Sequence, residues 1–169
     1  MEFSNEYKLL QEIYQGAKMG TESIQLLLPK VDNARFRSDL QTQNRQYQTT
    51  ASNAEQQMKA LGQCPREPSS KERVMLWMAK ASSAAMSAMK LMADPSASKI
   101  AEMMIQGSNM GILSLTKVLN SFGSPEANPA QSQQDNQQAP PAQNQAIDLA
   151  RTTIQAEEDN INRLKIYLQ

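Results

Sequence analysis

Histidine is missing from the chain, and cysteine occurs once in 169 residues, as Cys64. Without imidazole, the commonest metal ligand and the usual general base near neutral pH are both gone. A single thiol closes no internal disulfide, so stability must come from a packed core, for which this length suffices as one domain over 1–169. Long apolar runs are lacking too. Lys, Gln, Glu or Arg interrupts each of them short of the roughly 20 residues that a membrane helix needs. Neither sign of charge is in excess, with 17 Lys plus Arg against 17 Asp plus Glu. Nothing therefore favours nucleic acid or anionic lipid as a partner. The opening MEFSNEYKLLQEIYQ is acidic and polar rather than basic then apolar, which predicts no secretory leader and a cytoplasmic location. Aromatic residues make up only 5% of the chain, and with β-branched residues thinly spread, strands are not expected.

What is present is helix-forming: Ala, Met, Gln, Leu, Lys and Glu dominate. Phe3, Tyr7, Leu10, Tyr14, Ala17, Thr21, Ile24 and Leu28 alternate at spacings of four and three, which predicts a helix over about 3–28 that stops at Pro29. Asp32 or Asn33 is placed to cap a second helix over 33–61, whose stripe is read through Leu40, Asn44, Tyr47, Ala51, Ala54, Met58 and Leu61 as far as Gly62. Two prolines then break the chain, and Ser69 or Ser70 with Glu72 resembles a cap for a third helix over 70–93. Asp94-Pro95 opens a fourth over 96–122, read through Ile100, Met104, Gly107, Gly111, Leu115, Val118 and Phe122. Residues 124–142 lose periodicity and become rich in Gln and Pro, as a flexible linker does. Ile147, Ala150, Ile154, Glu157, Ile161, Leu164 and Leu168 predict a final helix over 144–168.

Four long amphipathic helices bury one another as a bundle, with the third helix carried in the connection between two helical hairpins. The expected fold is all-α. It is an antiparallel four-helix bundle with a long crossover, the connectivity of ferritin-like proteins.

Three stretches carry a resemblance: the opening hairpin LLQEIYQGAKMGTESIQLLLPKVDNARFRSDLQTQNRQYQTTASNAEQQMKALG, the crossover helix bearing Trp77, and the closing AEEDNINRLKIYL. Together they resemble uncharacterised ferritin-like bacterial domains related to stress-associated bundles, over nearly the whole chain. Metal-binding members of that wider superfamily hold two metals with Glu-x-x-His on two helices and a lone Glu on each of two others. The resemblance implies Glu157-x-x-Asn160 and Gln43-x-x-Gln46 as the counterparts of the two motifs, and Glu22 and Glu102 as the lone carboxylates. Asparagine and glutamine stand where ligands would be. Neutral amides cannot balance two multivalent cations, so no di-iron site, no cofactor and no enzymatic activity are expected.

Glu157 lies on the apolar stripe of its helix, and a buried carboxylate must be satisfied. Asn44, Gln43, Tyr47 and Thr21, all near mid-helix, are candidate partners; a residual ion or proton site is the alternative. The eleven methionines are read as adaptable core filler rather than copper(I) ligands, since no cysteine cluster supports them. Gly107 and Gly111 are read as a close packing point for a bulky partner. Cys64, beside Pro65, has no histidine to activate it. Trp77, with Met75 and Met78, gives the third helix more apolar surface than one face can bury, which predicts either a homodimer interface or burial against the bundle end. The function expected from these features is association, with itself or with another protein. A divergent metal site with oxygen ligands around Glu157 is the alternative.

Overall fold

The computed structural model describes residues 4–67, 96–122 and 141–169. They form four long helices, α1 (Asn5–Leu27), α2 (Ala34–Ala60), α3 (Ala97–Phe122) and α4 (Pro141–Leu164), with 3-10 turns at Leu28–Lys30 and Lys165–Tyr167. Among the described residues there is no strand, and no helix is long and apolar enough to cross a membrane. The helix expected at 70–93 lies outside them. So does the expected linker at 124–142, except residues 141 and 142, which already belong to α4. That helix begins three residues sooner than its periodicity suggested, because proline fits a first turn where its missing N–H is not needed.

Local chemistry sets the ends. Ser4 Oγ accepts from Tyr7 N at 3.3 Å and Asn33 Oδ1 from Phe36 N at 2.9 Å, each filling an orphan donor of a first turn. At Pro29 the chain tightens into the 3-10 turn, with Leu28 still in helical geometry (φ −50°, ψ −42°). After α2, Gly62 takes φ 72°, a left-handed conformation that glycine adopts without steric cost. It lets Gly62 N reach Lys59 O at 2.9 Å and Gln63 N reach Met58 O at 3.0 Å, a Schellman stop.

Helix direction follows from which residues meet. Phe36, at the start of α2, stacks on Tyr167 beyond the end of α4, with centroids 4.3 Å apart, while Tyr47 meets Glu157. Hence α2 and α4 are antiparallel. Ser114 donates to Glu12 near the start of α1, whereas Ser108 sits at the level of Tyr47 and Gly20, so α1 and α3 are antiparallel too. Gly20 meets Tyr47 and Tyr7 meets Cys64, so α1 and α2 are antiparallel as well, and α2 and α3 point the same way. The described residues after α2 turn back along α1. Tyr7 Oη lies 3.1 Å from Cys64 O, Gln11 bonds both the N–H and the C=O of Arg66 (2.9 and 2.7 Å), and Tyr14 donates to Glu67 at 2.7 Å.

The core is built from Leu9, Leu10, Ile13, Ile24 and Leu27 of α1, Phe36, Leu40 and Met58 of α2, Ile100 of α3 and Leu164 of α4, all fully buried. Three stripes differ from their sequence reading. In α2 the buried amide is Gln43, and Asn44 is only half-buried. In α3 the buried line runs through Ala101, Met104 and Ser108, leaving Gly107 exposed. In α4, Ala146 and Asn160 are buried while Leu168 is 44% exposed, since the chain has left the helix at Leu164.

Candidate functional site: a buried carboxylate below an interhelical cleft

One level of the bundle is polar in its centre. Glu157 of α4 is 7% exposed, and its Oε2 accepts from Tyr47 Oη at 3.0 Å and from Ser108 Oγ at 2.6 Å. Tyr47 in turn accepts from Gln43 Nε2 at 2.9 Å. Asn160, one turn along α4, also hydrogen-bonds Glu157. Its Oδ1 is occupied by Arg163 Nη2 at 2.7 Å, so the amide nitrogen is the group that donates. Arg163 extends the network to Gln46 Oε1 at 3.4 Å. Three helices thus supply side chains to one connected set, and α1 contributes space. At Gly20 a Cβ would lie 2.4 Å from Tyr47 Cε2, so only glycine lets the ring stand there.

The five residues expected in a residual polar core are therefore partly assembled. Glu157 and Asn160 bond directly, Gln43 acts through Tyr47, and Gln46 is joined through Arg163. Asn44 stands apart: it is half-buried, with its Oδ1 unpartnered among the described residues. Thr21, half-buried, makes no hydrogen bond to Glu157. The carboxylates implied for the other two helices do not face this centre, since Glu22 and Glu102 are both exposed, on the solvent side of α1 and α3. Among the described residues no three of His, Cys, Asp and Glu come together in the manner of a metal site. Trp77, Met75 and Met78 lie outside the described residues. Cys64 is exposed.

Above Glu157, between α1 and α3, lies a cleft of about 140 Å³. Tyr47, Ser108, Thr153 and Glu157 lie at its inner end, and its walls carry Met19, Met103, Met104 and Met110. Beside Glu12, Ile13, Gln15 and Leu115, much of the remaining lining is small. Gly16, Gly20 and Ser23 come from α1, and Gly107, Gly111 and Ser114 from α3. Among the described residues, a Cβ at Gly16, Gly107 or Gly111 would meet nothing within 4 Å. The close packing expected at Gly107 and Gly111 is thus absent among the described residues. The glycine that does pack under a bulky side chain is Gly20.

Ser108 was not among the expected partners of Glu157, because the α3 stripe was drawn through the neighbouring glycines. A signal for the cleft does exist in the chain. Residues 16–23 read GAKMGTES and residues 107–114 read GSNMGILS, the same G-x-x-M-G-x-x-S pattern on two antiparallel helices that line one opening.

Burial lifts the carboxyl of Glu157 above its ordinary value of 4.5, against the opposing pull of the bonds from Ser108, Tyr47 and Asn160. Burial, then the charge of Glu157, raises the Tyr47 phenol as well. A raised folded-state value means that the native state holds its proton to higher pH than the unfolded chain does. The stability contribution is fully present below 4.5 and is lost as pH rises through the folded value. Glu157→Gln is therefore expected to gain on the parent steadily as pH climbs from 4 towards neutrality, with the difference flat below the ordinary carboxyl range. Urea midpoints at a series of pH values measure this. Any fixed offset from the new amide meeting Asn160 leaves the slope untouched, and a parent that gained on the variant with rising pH would contradict the burial of a charge here. Comparison with protein-family models, curated proteins and solved structures found no match to this chain.

Proposed function

We propose that this chain is a ferritin-like bundle that acts by binding rather than by catalysis, through the cleft between α1 and α3. Two antiparallel hairpins joined across the bundle support the ferritin-like plan. Binding is favoured because the centre holds one carboxylate surrounded by hydroxyl and amide donors, and the one aliphatic hydroxyl in contact with it, Ser108, is itself only 2% exposed. One observation carries the reading. Three glycines in helix interiors leave the cleft open, although each forgoes about 0.8–1 kcal/mol of helix propensity relative to alanine. A chain selected for stability alone would fill that space, and local rules tend to be broken at functional positions.

The size of the opening points to a small molecule. A helix is about 10 Å across with its side chains, whereas about 140 Å³ is the scale of the roughly 150 Å³ apolar cavity known to take benzene. A single oxygen-ligated cation is the weaker reading. The second carboxylate of the cleft, Glu12, is bonded to Ser114, six residues from the Ser108 that bonds Glu157. Six residues of helix place the two roughly 9 Å apart, too far to share one ion. Self-association through Trp77, Met75 and Met78 is a separate proposal, decided by light scattering of the full chain at micromolar concentration.

Benzyl alcohol, a neutral probe of suitable size, is expected to perturb amide resonances in 16–23 and 107–114 saturably. Gly107→Leu should abolish that response while raising stability by up to about 1 kcal/mol, because leucine is the better helix former and its Cβ meets nothing within 4 Å among the described residues. Perturbations scattered over the surface, or unaltered by Gly107→Leu, would remove the cleft from consideration.

A further inference from the structure

Resting on the cleft as a binding site, we infer that its ligand is a small organic cation, with an ammonium group at Glu157 and an apolar body of about one ring along the methionines. The argument begins with charge. Glu12 and Glu157 line the opening, and among the described residues neither lysine nor arginine does. Glu157 faces Tyr47 from α2, Ser108 from α3 and Asn160 from its own helix, all uncharged. The positive group joined to this network among the described residues, Arg163, stops at Asn160 Oδ1 and Gln46. From α1 the other titratable group lining the cleft is again a carboxylate, Glu12. A buried carboxylate without a countercharge is costly, and Coulomb attraction strengthens where water is excluded. An entering ammonium supplies that countercharge.

Hydrogen-bonding capacity agrees. An ammonium offers donors only. Ser108 Oγ, which gives its proton to Glu157, keeps acceptor lone pairs, as do the carboxylate oxygens. An anionic head would be repelled by the carboxylate of Glu157, and a neutral one would leave Glu157 uncompensated. Beyond the head, Met19, Met103, Met104 and Met110 present flexible thioethers that conform to an apolar body of variable shape. The cleft is thus polar at one end and adaptable along its walls, which suits an amine carrying a compact hydrocarbon group.

Calorimetric titration of the full-length protein and of Glu157→Gln with benzylammonium, benzyl alcohol and benzoate tests this. Benzylammonium is expected to bind about tenfold more tightly than benzyl alcohol or better, with no saturable binding of benzoate. In Glu157→Gln the preference for the amine should shrink to about threefold or less. Equal binding of amine and alcohol would overturn the charge assignment and leave the cleft reading standing. Binding of neither would overturn both. An amine preference that survived in Glu157→Gln would move the cation away from this carboxylate and defeat the inference.

Discussion

Phe36→Ala is expected to cost about 3–5 kcal/mol of folding stability, the range for deleting a fully buried aromatic side chain. Two terms add. The ring has no exposed surface, so its removal forfeits transfer energy and leaves a cavity at the foot of α2. It also stacks on Tyr167, whose hydroxyl reaches Asp39 Oδ2 at 2.5 Å. Through that pair the residues after α4 are held against the first turns of α2, so the loss should appear locally as well as globally. Guanidinium unfolding should show a lower midpoint with an unchanged slope, and amide exchange should accelerate first across 161–169. A loss below about 1 kcal/mol would mean that this end of the bundle collapses around the gap or contributes little.

The helical class could be read from the chain because amphipathic periodicity and breaking residues act locally. Pro29, Asn33 and Gly62 stand at the ends of elements they were expected to end or begin, each through its own backbone chemistry. What could not be read was which of two adjacent stripe positions turns inward. Gln43 and Asn44, or Gly107 and Ser108, differ by 100° around a helix, and only the neighbouring helices decide between them. Ser108 is buried because it can give its proton to Glu157, and Gly107 faces out beside the cleft. Glu157 could be anticipated as buried from its own helix. Of its donors Tyr47 was legible as a polar position near mid-helix, whereas Ser108 was not, since the α3 stripe passes through the adjacent Gly107. The cleft left a legible trace in the repeated G-x-x-M-G-x-x-S, yet its meaning needs the antiparallel pairing of α1 and α3, which a one-dimensional stripe does not contain.

Gly20→Val should destabilise the protein by about 2–3 kcal/mol, whereas Gly16→Val, one turn earlier in the same helix, should stay within about 0.5 kcal/mol of the parent. The contrast isolates a single contact. A Cβ on residue 20 falls 2.4, 2.6 and 2.8 Å from Cε2, Cδ2 and Cζ of Tyr47, and a Cβ on residue 16 meets nothing within 4 Å. Tyr47 cannot swing aside cheaply, because its hydroxyl is held by Glu157 at 3.0 Å and Gln43 at 2.9 Å while its ring is 7% exposed. Valine recovers a few tenths of a kcal/mol of helix propensity over glycine at either site, which is too little to offset overpacking at residue 20. The double variant Gly20→Val with Tyr47→Ala should then be more stable than the sum of the single changes allows, with a coupling of about 1–3 kcal/mol. Additive losses would show that the new methyl groups strain something other than the tyrosine. In that case the smallest residue of α1 would not be what allows Tyr47 to reach Glu157.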